Sequence, residues 1–264
     1  MIARWTLRVI ALGYLSLLVV VPVGMILWHT FENGLAPFWT AITQPDALHA
    51  LRLTLEIAAI VVPLNTMFGI VIAIMLVRHE WPGRSVVNAI LVLPFALSPI
   101  VVGLALILTY GQTGWFGASL AQQGVTVIFS LPGMVLATMF VSLPFVAREV
   151  MPVLREIGEE QEQAAATLGA GAFTTFRRIT LPAIRWGVIY GVILTTARAI
   201  GEYGAVAVVS GNVIGGSETA TVFVNRSYEN FDKQGAYSVS VVLAVVALAT
   251  VLLMTLFKPR SEAS

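Results

Sequence analysis

Residues 159–185, EEQEQAAATLGAGAFTTFRRITLPAIR, form the one long polar island in an otherwise apolar chain. Hydrophobic stretches flank it on both sides, so the island must lie outside whatever those stretches are buried in. Ala164, Ala165, Ala166, Thr167 and Leu168 suit a short helix, and Gly169 and Gly171 follow where a helix ends or bends. A second short helical run, Ala172 to Ile179, carries Arg177 and Arg178 before Leu181-Pro182 returns the chain to apolar sequence. Two short helices meeting at a glycine turn predict a compact knob. With small alanines on one arm and Phe173 and Phe176 on the other, its shape suits a groove on a partner.

The rest of the composition says what the knob stands on. With 264 residues, 58% of them hydrophobic and 11% charged, the chain reads as an all-α polytopic membrane protein with one transmembrane domain over 1–264. The lipid bilayer is therefore its first partner, and no basic patch or motif points to nucleic acid. Zero cysteines exclude thiolate catalysis and thiolate metal sites. His29, His49 and His79 are scattered without ligand spacing, so they read as interfacial side chains and no metal site is expected. No nucleophile, base and orienting group fall together, and no G-x-x-x-x-G-K-[ST] phosphate loop occurs. The expectation is no catalytic residue, no enzyme and no cofactor in this chain.

Six spans are predicted, at about 9–28, 53–77, 86–110, 132–153, 186–209 and 237–257, with the polar island inside a loop at about 154–185. The first is longer than a signal-peptide core and no small-residue cleavage site follows, which favours a retained helix. Six spans place both termini on one side. Of the 15 basic residues, Arg4, Arg8, Arg78, Arg84, Arg148, Arg155, Arg177, Arg178, Arg185, Lys258 and Arg260 fall on the side of the island. Only Arg226 and Lys233 lie clearly in a loop on the other side, so the island and both termini are expected to be cytoplasmic.

Three places inside the spans are unusual. LPFALSPIVVG, 93–103, holds Pro94, Ser98 and Pro99 in mid-span, which predicts a broken helix and either a pathway wall or a packing kink. Glu56 sits near the outer end of the second span, where an interfacial carboxylate reaching for water is the preferred reading. TTARAIGEYGA, 195–205, puts Arg198 and Glu202 four residues apart, well inside an apolar segment. The pair reads either as a translocation-path or gate element or as a structural ion pair.

The island also carries a spacing. Gln163-Ala164-Ala165 is followed by three residues, then Gly169, then nine residues, then Ile179-Thr180-Leu181-Pro182. This resembles the loop E-A-A, three residues, G, nine residues, I-x-L-P of the membrane subunits of binding-protein-dependent ABC importers. The first Glu of that pattern is Gln163 here, with Glu162 one place earlier. Arg198, the run Gly201-Glu202-Tyr203-Gly204-Ala205, Val208-Val209-Ser210, Tyr228 and Gly235-Ala236-Tyr237 sharpen the resemblance to sulfate/thiosulfate permease subunits of the W type. Molybdate and tungstate permeases share much of it.

The resemblance implies a type I ABC importer permease fold in a bacterial inner membrane. It further implies a heterodimer with a T-type permease subunit, two copies of a cytoplasmic ATPase that binds ATP and Mg, and an extracytoplasmic sulfate-binding protein. On it, Glu162, Gln163, Ala164, Ala165, Gly169, Phe173, Ile179, Leu181 and Pro182 couple to the ATPase, while Pro94, Ser98, Pro99, Arg198 and Glu202 line the path or gate. The alternative from another class is a passive channel or membrane scaffold whose loop binds a regulator.

Overall fold

A computed structural model describes residues 2–256, and the expected basic residues Lys258 and Arg260 and the end of the sixth span lie outside the described residues. Every regular element among the described residues is helical. Helix α1 (Ile2–Leu15) continues through a π-helical turn at Ser16–Val20 into α2 (Val21–Phe31). Then come α3 (Leu35–Ile42), α4 (Pro45–Arg78), α5 (Arg84–Ala96), α6 (Pro99–Tyr110), α7 (Gly117–Gln122) and α8 (Leu131–Ile157). The polar island holds α9 (Glu160–Thr167), α10 (Ala172–Thr175), a second π-helical turn at Phe176–Thr180 and α11 (Leu181–Ala183). Helices α12 (Arg185–Ile200), α13 (Gly204–Val209), α14 (Ala220–Glu229) and α15 (Lys233–Leu256) complete the chain.

Among the described residues four stretches, Thr6–Phe31, Pro45–Arg78, Leu131–Ile157 and Lys233–Thr250, are long and apolar enough to cross a membrane as single helices. Two further crossings are available as bent pairs, α5 with α6 at 116° and Ala172–Ala183 with α12 at 72°.

Both π-helical turns stand directly before a Val-Pro or Leu-Pro pair, at Pro22 and Pro182. A proline ring removes one helix hydrogen bond and crowds the carbonyl four residues back. The wider turn relieves that crowding, with Val21 N–H bonding Ser16 O and Leu181 N–H bonding Phe176 O. Helix α8, by contrast, runs through Pro144 and Pro152 as one element.

The expected third span, 86–110, is two arms. Pro94 sits buried inside α5, and the break falls later, at Leu97 and Ser98, which are both extended (ψ 140° and 136°). Pro99 is the cause, because its ring bars the residue before it from the helical region and then starts α6 at its first position.

Contacts between distant residues fix how the helices run. Asn65 Nδ2 donates to Met139 O and Ser142 Oγ, and Arg78 donates to Leu154 O and Gly158 O, at sequence separations of 74, 77, 76 and 80. A near-constant separation means that α4 and α8 run parallel and in register. Residues 79–130 must therefore carry the chain back from one end of the bundle to the other, so the bent α5–α6 pair traverses it.

Helix α12 runs antiparallel to α8. A Cβ on Gly187 would stand 2.8 Å from Glu149 O, and one on Gly191 would stand 2.7 Å from Val146 Cα. From the other side, a Cβ on Gly69 of α4 would lie 2.7 Å from Val146 Cβ. Val146 is thus a knob held between two glycines, and α4, α8 and α12 approach more closely there than side chains would allow. Around this centre, α13 packs on α6 and α8, α15 on α2, α3 and α14, and the apolar α1–α2 stretch lies at the periphery with its described side chains mostly exposed.

The seam makes a sharp expectation. Gly191→Leu should overpack the Val146 contact, at a cost of about 1–3 kcal/mol or more, and lower the melting temperature of the subunit in detergent. Gly24→Ala, inside α2 at a glycine with nothing within 4 Å, should not lower it, and equal melting curves for both variants would refute the seam.

Candidate functional site

The polar island folds as a knob whose turn is set by Gly169. Helix α9 ends in paired reverse bonds, Gly169 N–H to Ala166 O at 3.0 Å and Ala170 N–H to Ala165 O at 3.0 Å, with Gly169 at φ +83°. This double bond pattern at a helix end requires the left-handed conformation that glycine adopts without a steric cost. A Cβ at Gly169 would meet nothing within 4 Å, so only backbone strain and a partner's surface oppose a side chain there. Leu168 and Phe173 stand 88% and 73% exposed at the tip, while Ala165 is buried, on a helix that packs against the second arm of the knob, and Ala164 faces out. Ile179 and Leu181 are half-buried at the base, and Pro182 is exposed.

One arginine holds the knob to the core. Arg78, the last residue of α4, donates from Nη1 to Leu154 O at 2.9 Å and from Nη2 to Gly158 O at 2.7 Å. Its Nε donates to Glu162 Oε2 at 3.0 Å, and Glu162 Oε1 accepts from Thr180 Oγ1 at 2.7 Å. The Arg78 side chain is only 8% exposed. Glu162 therefore links both arms of the knob to α4 and α8. Gln163, which occupies the first position of the sequence pattern, is exposed and reaches only Glu159, at 3.4 Å. Sequence reasoning placed Arg78 merely in an inside turn; its partner lies 84 residues away, and nothing local signals the pair.

The second group of expected residues lies deeper in the bundle. The expected fifth span, 186–209, is not one helix: α12 ends at Ile200 and α13 starts at Gly204. Arg198 and Glu202 nevertheless meet, with Nη1 2.6 Å from Oε2, the Glu202 side chain buried and that of Arg198 30% exposed. The other carboxylate oxygen, Oε1, accepts from Ala205 N–H at 2.8 Å, and Thr221 Oγ1 donates to Glu202 O at 2.7 Å. Glu202 thus closes the chain break, opens α13 and pins α14 against it.

This break meets the one at Ser98-Pro99. A Cβ on Gly204 would lie 2.8 Å from Pro99 Cβ, and one on Gly103 would lie 2.8 Å from Val208 Cβ. The fold therefore brings Pro99, with Ser98 exposed beside it, to the turn that holds Glu202. Pro94 is not at this junction. Broken backbone of this kind inside a membrane bundle is found where it is covered by protein or borders a cavity.

Beyond the junction, Tyr203, Thr221, Asn225, Tyr228, Tyr237 and Ser240 face a cleft of about 310 Å³. Next to it is an ion pair absent from the sequence expectations. Glu218, buried, takes both Nε and Nη2 of Arg226 at 2.5 and 3.1 Å, and Arg226 lies 5.2 Å over the Phe223 ring. The hydrogen bond to Glu218, reinforced by nearby carboxylates, raises the Arg226 pKa above its ordinary value. Glu56, expected to reach for water, is exposed and pairs with Arg52 at 2.8 Å. Among the described residues, no group of His, Cys, Asp and Glu has the arrangement of a metal site.

Comparison with known proteins agrees with this architecture. Residues 65–262 match the family described as binding-protein-dependent transport system inner membrane component. The sulfate transport system permease protein CysW of Synechocystis sp. is 47% identical over 258 residues, covering 98% of this chain and 94% of that protein. The sulfate transport system permease protein CysT of Synechocystis sp. is 37% identical over 250 residues, covering 95% of this chain and 87% of that one. The crystal structure of a bacterial ABC transporter involved in the import of the acidic polysaccharide alginate superposes with a TM-score of 0.80 at 16% identity. That superposition covers 96% of this chain and 93% of the other, and shows the same fold.

The geometry separates two neighbouring residues of the knob. Glu162→Ala should leave Arg78 without its carboxylate and cost roughly 1–3 kcal/mol, whereas Gln163→Ala should stay within about 0.5 kcal/mol of wild type. Melting of the purified subunit variants measures both. A larger loss for Gln163→Ala would invert the assignment.

Proposed function

The chain belongs to the binding-protein-dependent transport system inner membrane components, and from that premise we propose that it forms one half of the pathway by which sulfate or thiosulfate is imported at the expense of ATP. It is a permease subunit of an importer and not a catalytic subunit. The observation that carries the mechanical part of the reading is the Arg78 anchor, which makes an exposed knob rigid with α4 and α8. A knob so held transmits force from a docked motor. No phosphate loop occurs in the chain, so ATP and Mg belong to a separate ATPase present in two copies, one of which docks from the cytoplasm at α9, Gly169 and Phe173 of this chain and the other on the partner permease subunit.

The other half of the pathway comes from a T-type subunit, a pairing supported by relatives of both the W and the T type at 47% and 37% identity. A binding protein delivers the anion at the opposite end, where the Glu218–Arg226 pair stiffens the loop before α14. The knob and both termini are cytoplasmic on this reading, because the arginines concentrate at that end. Arg198, neutralised by Glu202, leaves the path attractive to a divalent anion without trapping it, as conduction requires. Sulfate as cargo rests on the relatives; the resemblance to molybdate permeases makes molybdate the competing cargo.

Uptake of labelled sulfate, thiosulfate and molybdate in cells lacking their own sulfate importer tests the cargo. Sulfate uptake that needs the ATPase and is outcompeted by thiosulfate is expected; uptake of molybdate alone, or sulfate accumulation without the ATPase, would overturn the proposal. For the charge pair, Arg198→Met, Glu202→Gln and the double variant should each reduce transport, with the double variant restoring folded subunit relative to Glu202→Gln. Wild-type uptake in all three would remove Arg198 and Glu202 from the path.

A further inference from the structure

A cluster of cations outside the two sites described above is built differently from the four arginine–glutamate pairs among the described residues. Arg84 is the first residue of α5, and Arg155 lies in the last turn of α8. Together with Ser85 and Asn88 they line a recess of about 250 Å³ whose floor is Leu76 and Met151, both buried. Asn88 is one helical turn beyond Arg84 on α5, so the three polar side chains of α5 and the one of α8 converge from two elements.

Arg52, Arg78, Arg198 and Arg226 each have a glutamate within 2.5–3.0 Å. Among the described residues, neither Arg84 nor Arg155 has a carboxylate within 4.0 Å, and the side chains of Ser85 and Asn88 make no hydrogen bond to the protein. The recess therefore gathers guanidinium, hydroxyl and amide donors that the chain itself leaves unused. Two like charges on one small cavity repel, and a divalent anion between them turns that repulsion into attraction. The planar donor forks of arginine fit the edges of a tetrahedral oxyanion, with the hydroxyl and amide reaching its remaining oxygens.

We infer that Arg84, Ser85, Asn88 and Arg155 bind a tetrahedral oxyanion group, sulfate or phosphate, at the knob-bearing end of the bundle. Such a group bridges the start of α5 to the end of α8. Three residues after Arg155, Gly158 O is held by Arg78, so the bridge ties the bent third span to the helix that leads into the knob. Two sources supply this chemistry: a free anion on that side of the membrane, or the phosphate of a lipid headgroup in the adjoining leaflet. The cytoplasmic location of the recess rests on the sidedness proposed above; the binding does not.

The test uses the complex purified with its partner subunits in a phosphate-free sugar detergent, and reads the melting temperature of this subunit. Sodium sulfate or sodium phosphate, titrated at constant ionic strength against sodium chloride, should raise it by about 3 °C at tenfold excess over Kd and logarithmically with concentration beyond that. Sulfate also stabilises proteins without a site, so the readout is the difference from Arg84→Gln/Arg155→Gln, in which the logarithmic rise should vanish, whereas Arg84→Lys/Arg155→Lys should keep part of it. In a parallel arm, phosphatidylglycerol is added back in place of the salt. A rise that depends on the arginines with free anion assigns the soluble source, and one seen with the lipid alone assigns the headgroup. Equal rises in wild type and the glutamine variant in both arms would overturn the site. If that variant does not assemble, Asn88→Leu, which fills the recess and keeps both charges, is read the same way. Sulfate uptake is scored separately, so a wrong cargo and an empty recess give different failures.

Discussion

The guanidinium of Arg78 is where the outer part of this molecule is fastened to its core. It is nearly sealed from solvent, and it spends its donors on the end of α8, on the Gly158 carbonyl beyond it and on Glu162 of the knob. A buried guanidinium with no partners would be costly, so the end of α4, the end of α8 and the first arm of the knob hold one another in place. Thr180 ties in the second arm through the same carboxylate. Displacing the knob as a body therefore either breaks this cluster or carries α4 and α8 with it. On the proposed transport reading, that choice is what lets a short surface loop drive a membrane bundle.

What the knob is fastened to is a tight three-helix centre. Val146 fits between Gly69 and Gly191, and one turn further along, Asn65 bonds Met139 O and Ser142 across the α4–α8 contact. Small residues bring the backbones together and a buried amide fixes their register, so α4 and α8 behave as one rod. Helix α12 lies along that rod and leads directly to the break at Gly201. The α5–α6 bend touches the same place through Pro99 and Gly204. Both interruptions of the helical backbone thus sit together at the far end of a stiff connection from the knob.

The sequence shows some of this plainly and hides the rest for physical reasons. Six apolar stretches, the two-armed knob and its glycine follow from hydrophobic runs, helix-stop chemistry and charge asymmetry, all of which are local signals. The break before Pro99 is legible because a proline constrains the residue preceding it; its placement at Leu97–Ser98, with Pro94 accommodated inside α5, depends on packing. The break after Ile200 has no proline to announce it. There the Glu202 carboxylate takes the Ala205 N–H in place of a helical carbonyl, and Thr221, 19 residues on, holds the Glu202 carbonyl. Glu162 was legible as a neighbour of the pattern but not as its anchor, and the Glu218–Arg226 pair had no spacing to betray it. Partners brought together by tertiary folding leave no mark in a window of a few residues.

The two oxygens of Glu202 finally connect shape to charge. One caps α13 and the other neutralises Arg198, so the same carboxylate keeps the chain broken and the cation balanced. If α12 and α13 shift relative to each other, the side chain cannot hold both partners unless they move together. Losing Ala205 frees a buried N–H; losing Arg198 exposes an uncompensated positive charge to the surface that the arginine partly faces. Either change makes this junction more attractive to an anion than the resting arrangement is. On the proposed transport reading, a movement delivered through α4, α8 and α12 therefore alters backbone and electrostatic attraction at one point and in one step, without a separate switch residue.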